Sequence, residues 1–310
     1  MMNLFHEGER KMQALAGETE EADLNAPMIA PHILKGAIPF LASQPFAVLG
    51  LEHDGEIWAT YLIGQSGFIS VPDQFRLVFD LGRLHAQVDP AISATARLRQ
   101  PVGGIFIDLE TRRRYRVNGT LSQISPEVLE LRVREAFVNC PKYITRRIIQ
   151  WESQGSQPSS GPTGESLSHE GVATLRSADL FFIATNHPDR GLDASHRGGN
   201  PGFITVTDRR TFRFPDYPGN SLFNSLGNLL VDNRIGLLVS DLKRRVALRI
   251  TGTAAVKFQK STHELSTNNA PRMVEVSISR WEETAFPLRT TPVVEYSPFN
   301  PQGRFCDVAR

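Results

Sequence analysis

The stretch Ala194-Ser195-His196-Arg197-Gly198-Gly199-Asn200-Pro201-Gly202-Phe203, ASHRGGNPGF, has an earlier counterpart at Ala59 to Phe68, ATYLIGQSGF. The Gly-Phe pairs at 67 and 202 lie 135 residues apart, and Asn118-Gly119-Thr120 reappears as Thr251-Gly252-Thr253 at a spacing of 133. Similar spacings at both ends mark an internal duplication. Both copies read as short alternating strands with turn residues between them. In the first these are Phe46–Leu51, Ile57–Ile63, Arg76–Asp80, Gly104–Leu109 and Tyr115–Leu121. In the second they are Leu180–Thr185, Asp193–Arg197, Gly202–Val206, Thr211–Phe214, Gly236–Ser240 and Ala247–Ala255, with Met273–Ile278 closing an edge. So many short antiparallel strands per copy predict a small barrel.

Working outward, residues 1–40 form an N-terminal extension, 41–150 the first copy, 172–285 the second and 286–310 a tail. Trp151–Gly171, rich in Ser, Gly, Gln and Pro, reads as a linker or long loop. Helices are expected over Ser125–Val138, where Ser125 can cap and Pro126 suits the first turn, and over Ser221–Val231. The 310 residues carry 34 Lys+Arg against 33 Asp+Glu, and this balance argues against a nucleic-acid or membrane-surface partner. Cys140 and Cys306 are the two cysteines and suggest neither a disulfide framework nor a cysteine-rich metal site. Without an apolar signal core or a long apolar run, the expected compartment is the cytoplasm.

Two polar constellations fall in the second copy. On the strand containing ASHRGG, alternation puts Asp193, Ser195 and Arg197 on one face and Ala194 and His196 on the other. A hydroxyl and a guanidinium there suit a phosphate or ring carbonyls. Then Phe214-Pro215-Asp216-Tyr217-Pro218-Gly219-Asn220 turns into a helix bearing Asn224, Ser225 and Asn228, whose start suits an anion if Asn220 is not simply its cap. The first copy has apolar residues at these places, so it is expected to be scaffold or pseudo-dimer partner while the second holds the ligand. Arg112-Arg113-Arg114 and Lys243-Arg244-Arg245 read as solvated hairpin tips, and Cys140 as a small buried residue.

The second copy, from DLFFIAT through SHRGGNPGF and FPDYPGNSLFNSLGNLL to RITGTA, resembles the pyridoxamine 5′-phosphate oxidase-like, FMN-binding split-barrel proteins, and in particular their flavin-nucleotide-binding branch. The first copy is similar to the amino-terminal half of long members of that branch. The resemblance implies a mainly β fold of tandem split β-barrels, dimerisation, and FMN between barrels. It places the cofactor phosphate on Ser195, His196 and Arg197 at the strand end and on Asn220, Asn224 and Ser225 at the helix start; Asp216 and Tyr217, from the turn between them, complete the candidate cofactor-binding residues. Asn224-Ser225 stands where the vitamin-processing oxidases carry a basic Arg-Lys pair, which argues against pyridoxamine phosphate as substrate. The expected activity is an FMN-dependent oxidoreductase acting on a small organic molecule. The alternative on the same fold is a carrier or sensor of flavin, deazaflavin or haem.

Overall fold

The computed structural model describes residues 4–150, 161–258 and 270–301. Two antiparallel sheets dominate it. The first contains β1 (Phe46–His53), β2 (Glu56–Ile63), β3 (Ile69–Asp73), β4 (Arg76–Asp80), β5 (Pro101–Asp108), β6 (Arg113–Ser125) and β7 (Val128–Asn139), in the spatial order β2-β1-β5-β6-β7-β4-β3. After a short β8 (Ile149–Gln150) and β9 (Thr163–Gly164), the second contains β10 (Leu180–His187), β11 (Gly191–Gly198), β12 (Thr205–Val206), β13 (Thr211–Asp216), β14 (Arg234–Asp241), β15 (Val246–Phe258) and β16 (Arg272–Ala285). Its order, β11-β10-β14-β15-β16-β13-β12, repeats that of the first, with β9 added to β16. β17 (Arg289–Thr290) pairs with β8. The helices are α1 (Glu7–Ala16), α2 (Thr19–Asn25), α3 (Ile38–Ala42), α4 (Pro90–Leu98), α5 (His169–Ser177) and α6 (Asn224–Leu229).

Each sheet curls around its own core, because one face of nearly every strand contributes to a single apolar cluster. In the first barrel Leu49, Trp58, Leu77, Phe106, Val117 and Leu131 meet inside; in the second, Phe181, Phe212, Leu237, Leu248 and Val274 do. A third cluster lies between the barrels, where Val48, Ala59 and Ile105 face Phe182, Ala194 and Leu238. β10 is therefore buried at every position, one face in its own barrel and the other in the joint.

The joint is nearly two-fold symmetric. Gly50 and Ala184 hold the same place in the two copies, and a Cβ on Gly50 would lie 2.7 Å from that of Ala184. Gly103 backs onto Asp193, and its counterpart Gly236 backs onto Trp58, the counterpart of Asp193; a Cβ on either glycine would come within 2.7 Å of that backbone. The N-terminal extension spans both barrels, since Phe5 and Ala22 pack with Phe137 of the first and Leu222 of the second.

Several expectations are corrected. The segment expected as helix Ser125–Val138 is the strand β7, entered by a turn closing on Ser125 and Val128. Leu129, Leu131 and Val133 are buried at a period of two, and that alternation outweighs the Ser-Pro start. The second helix is only Asn224–Leu229, with Phe223 in the left-handed region at its N-cap (φ 60°), so Asn220 is not the cap. The strand expected over Gly202–Val206 is reduced to Thr205–Val206. Within the expected linker, residues 151–160 lie outside the described residues, but β9 and the start of α5 are regular structure. No described helix is long and apolar enough to cross a membrane.

Candidate functional site

The site forms along β11, where the edge of the second barrel meets the first. The register of β10 and β11 pairs Ser195 with Ile183 and Arg197 with Phe181, and His196 with Phe182. Ile183 and Phe181 belong to the barrel interior and Phe182 to the joint, so the expected separation of Ser195 and Arg197 from His196 is what the strand displays. All eight residues named from the sequence, Ser195, His196, Arg197, Asp216, Tyr217, Asn220, Asn224 and Ser225, border one pocket of about 90 Å³. β13 delivers Asp216. The turn after it, with Ser221 and Phe223 at positive φ, brings Asn224 and Ser225 underneath.

The sequence reading missed what the first barrel gives to this pocket. Arg114 and Arg116 project from the outer face of β6, and Asn139, Cys140 and Tyr143 follow from β7. Arg114 is thus no solvated hairpin tip, and the first copy lends side chains to the pocket as a pseudo-dimer partner would; Cys140, half-buried, is part of the wall. The signal was present in RRRYRVNG, where Arg114, Arg116 and Asn118 alternate with the core residues Tyr115 and Val117. A polar face at period two on an internal strand must meet something polar.

What it meets is a chain of charge pairs. Asp193 accepts from Arg116 Nη1 (2.9 and 3.2 Å), Asn118 Nδ2 (3.1 Å) and the Ser225 hydroxyl (2.7 Å). Arg116 Nη2 donates to Ser195 Oγ at 2.7 Å, which leaves the serine proton free to donate into the pocket. Asp216 bridges Arg197 (2.5 Å) and Arg272 (2.9 Å), and Arg272 reaches on to Glu18 of the extension (2.9 Å). Burial lowers the Arg116 pKa, opposed by the charge of Asp193. At Arg272 burial also lowers, but the adjacent Asp216 carboxylate prevails and the pKa is raised.

Arg114 differs from the other three arginines of the pocket. Its polar partners are the His196 ring and the Cys140 sulfur, at 2.9 and 3.9 Å, and neither is a carboxylate. Burial pushes its pKa down to about 10, with the neighbouring Arg116 and Arg197 charges acting in the same direction. A guanidinium can only donate, so Nδ1 of His196 must accept from Arg114 and the ring hydrogen must sit on Nε2. His196 stays neutral, its pKa well below the usual imidazole value through burial and then through Arg114. Its Nε2–H is buried without a hydrogen-bond partner.

The extension supports the floor. Asn224 Nδ2 donates to Glu9 at 2.6 Å, Asn25 Nδ2 to the Asn220 carbonyl at 3.0 Å, and Ser221 Oγ to Glu18 at 2.7 Å. Glu9 is buried, and burial pushes its pKa up to about 8. Beside it His6, Glu7 and His187 gather in a metal-like trio. Both ring Nδ1 atoms, however, accept backbone N–H groups, from Gly8 and Glu9 at His6 and from Asp189 and Arg190 at His187. The remaining ring nitrogens therefore carry hydrogens, and the trio is a latch for α1 rather than a ligand set. At the pocket mouth the rings of Tyr143 and Tyr217 lie 5.0 Å apart, and the Tyr143 hydroxyl donates to the Pro218 carbonyl at 2.9 Å.

Fold and site together define a tandem split barrel whose polar pocket is built by both barrels of one chain. No family model and no curated protein matches the sequence. Among solved structures it is similar to a proposed pyridoxamine 5′-phosphate oxidase from Lactobacillus delbrueckii (19% identity, 40% of this chain and 98% of the other, TM-score 0.32). It is also similar to an FAD-binding protein from Mesorhizobium loti (13%, 40% and 97%, TM-score 0.30) and to the haem storage protein HutZ from Vibrio cholerae (10%, 37% and 89%, TM-score 0.27).

Proposed function

We propose that this protein is an FMN-dependent oxidoreductase acting on a small organic substrate, with the cofactor phosphate held between the barrels. The observation that carries the reading is the pair Arg114 and His196: a buried cation without a carboxylate partner, beside a buried N–H without an acceptor. Both deficits are met by a ligand that brings negative charge and acceptor oxygens or nitrogens. The pocket's 90 Å³ is below the roughly 300–1,000 Å³ of a whole small-molecule site, so it suits the anionic end of such a ligand.

Arg114, Arg116 and Arg197 would balance the phosphate charge, the Ser195 hydroxyl would donate to it, and His196 Nε2–H would donate to an acceptor atom of the cofactor. The flavin, when bound, supplies the hydride and electron chemistry. Asp193 and Asp216 hold the guanidinium groups in place, and Glu9 orients Asn224. The same tautomer weighs against haem, because an imidazole whose Nδ1 accepts and whose Nε2 carries hydrogen offers no lone pair to iron. Reconstitution tests the reading. Purified protein titrated with FMN should quench flavin fluorescence, and the yellow complex should bleach with NADH or NADPH. A protein that takes up haem but no flavin refutes it.

A further inference from the structure

The approximate two-fold axis that relates the barrels also relates the pocket to a second one. Matching strand registers make Thr60, Tyr61 and Leu62 the counterparts of Ser195, His196 and Arg197. Arg249 is likewise the counterpart of Arg116, Ala247 of Arg114, and Thr284 of Asn139. Thr60, Tyr61, Arg249 and Thr284 line a cavity of about 420 Å³ against the start of α4, just as their counterparts line the first pocket against the start of α6. Space is therefore not what distinguishes the two.

Charge does. The first pocket is lined by Arg114, Arg116, Arg197 and Arg272 with Asp216 as its one acidic wall residue. The second is lined by Arg249 with Asp89, Glu282 and Glu283. Arg116 packs over Phe137, whereas at the matching place Arg249 is tied to Glu282 at 2.7 Å, and Asp89 takes it from the other side at 2.8 Å. The two cations that could have compensated are replaced by Ala247 and Leu62. One Arg249 nitrogen, Nη1, is held by both carboxylates, and the acidic side chains lining this cavity outnumber its one arginine.

We infer that the chain binds a single phosphate-bearing ligand, and that the duplication has converted the second of two equivalent pockets into one that excludes anions. This rests on the function proposed above, which assigns a phosphate to the first pocket. The test is the stoichiometry of FMN binding to the full chain, by calorimetric titration of the wild type and of Arg116→Ala and Arg249→Ala. One FMN per chain is expected, with affinity at least tenfold weaker in Arg116→Ala and within about twofold of wild type in Arg249→Ala. Two per chain, or loss confined to Arg249→Ala, overturns the inference, and the wild-type count stands even if a variant fails to fold. Should no flavin bind, the cofactor assignment fails, and equilibrium dialysis against labelled inorganic phosphate reads the asymmetry directly. One phosphate lost with Arg116→Ala sustains it, whereas two, none, or one lost only with Arg249→Ala overturns it.

Discussion

Replacing Arg114 by methionine should move stability and binding in opposite directions. Burial pushes the pKa of this guanidinium down to about 10, well below its ordinary value, and no carboxylate offsets the cost. At about 1.4 kcal/mol per unit the charge costs the unliganded fold roughly 3 kcal/mol. Methionine fills similar space without that cost, as in other replacements of buried charge by apolar side chains. Unliganded Arg114→Met is therefore expected to melt roughly 5 °C above wild type, at about 2 °C per kcal/mol for a chain of this size. The same change removes a charge-assisted contact of about 1.5–3 kcal/mol to the ligand, so FMN should bind roughly 10- to 150-fold more weakly. Differential scanning fluorimetry without ligand and fluorescence titration with FMN measure the two halves. A variant that melts below wild type, or that binds FMN equally well, refutes the argument that this arginine is kept charged for an anion.

Glu9→Gln tests the buried carboxyl beneath Asn224. With its folded pKa raised to about 8 from 4.5, the native state holds a proton that the unfolded chain releases, so Glu9 costs stability progressively as pH rises through that window. The advantage of Glu9→Gln over wild type in denaturant melts should grow by a little over 1 kcal/mol per pH unit between pH 5 and 8 and then level off; parallel profiles contradict it. Gly103→Ala should destabilise by about 1–3 kcal/mol, because its Cβ would meet the Asp193 backbone at 2.6 Å, while Gly36→Ala, which meets nothing within 4 Å, should not. Equal melting of these two variants would remove the close joint from the account. Tyr143 is held at φ 66°, a conformation costing a non-glycine residue about 1–2 kcal/mol, and its ring closes the mouth against Tyr217. Tyr143→Gly should speed FMN association several-fold in stopped-flow fluorescence, and an unchanged rate would show that this segment does not limit entry.

Much of the barrel was readable because alternation survives wherever one face of a strand is wet. The two Gly-Phe pairs and the Asn-Gly-Thr and Thr-Gly-Thr triplets, which sit at matching register shifts inside β6 and β15, aligned the copies, and β11 displays its side chains as period two requires. The reading failed where local signals competed. Ser125-Pro126 looks like a helix start, yet Leu129, Leu131 and Val133 needed to alternate into the first core. The helix Pro90–Leu98 went unread although Asp89 caps it and Ala91, Ile92 and Ala96 form its buried side. At the site, the residues near each other in sequence were found together. Arg114, Arg116, Glu9 and Glu18 were not, because the second-copy residues they meet, His196, Asp193, Asn224 and Arg272, lie at least 77 residues away in the chain and no local spacing encodes that meeting.

The contact between Gly50 and Ala184 restricts how the halves could be used apart. Two alanines facing each other on that axis would collide, since even one added methyl on Gly50 falls 2.7 Å from the other. The second barrel, expressed by itself, would set Ala184 against its own copy, so it could not rebuild this joint as a homodimer without shifting its backbone. The glycine on one side and the alanine on the other fit as an unlike pair, so at this point of the joint the two halves are not interchangeable repeats.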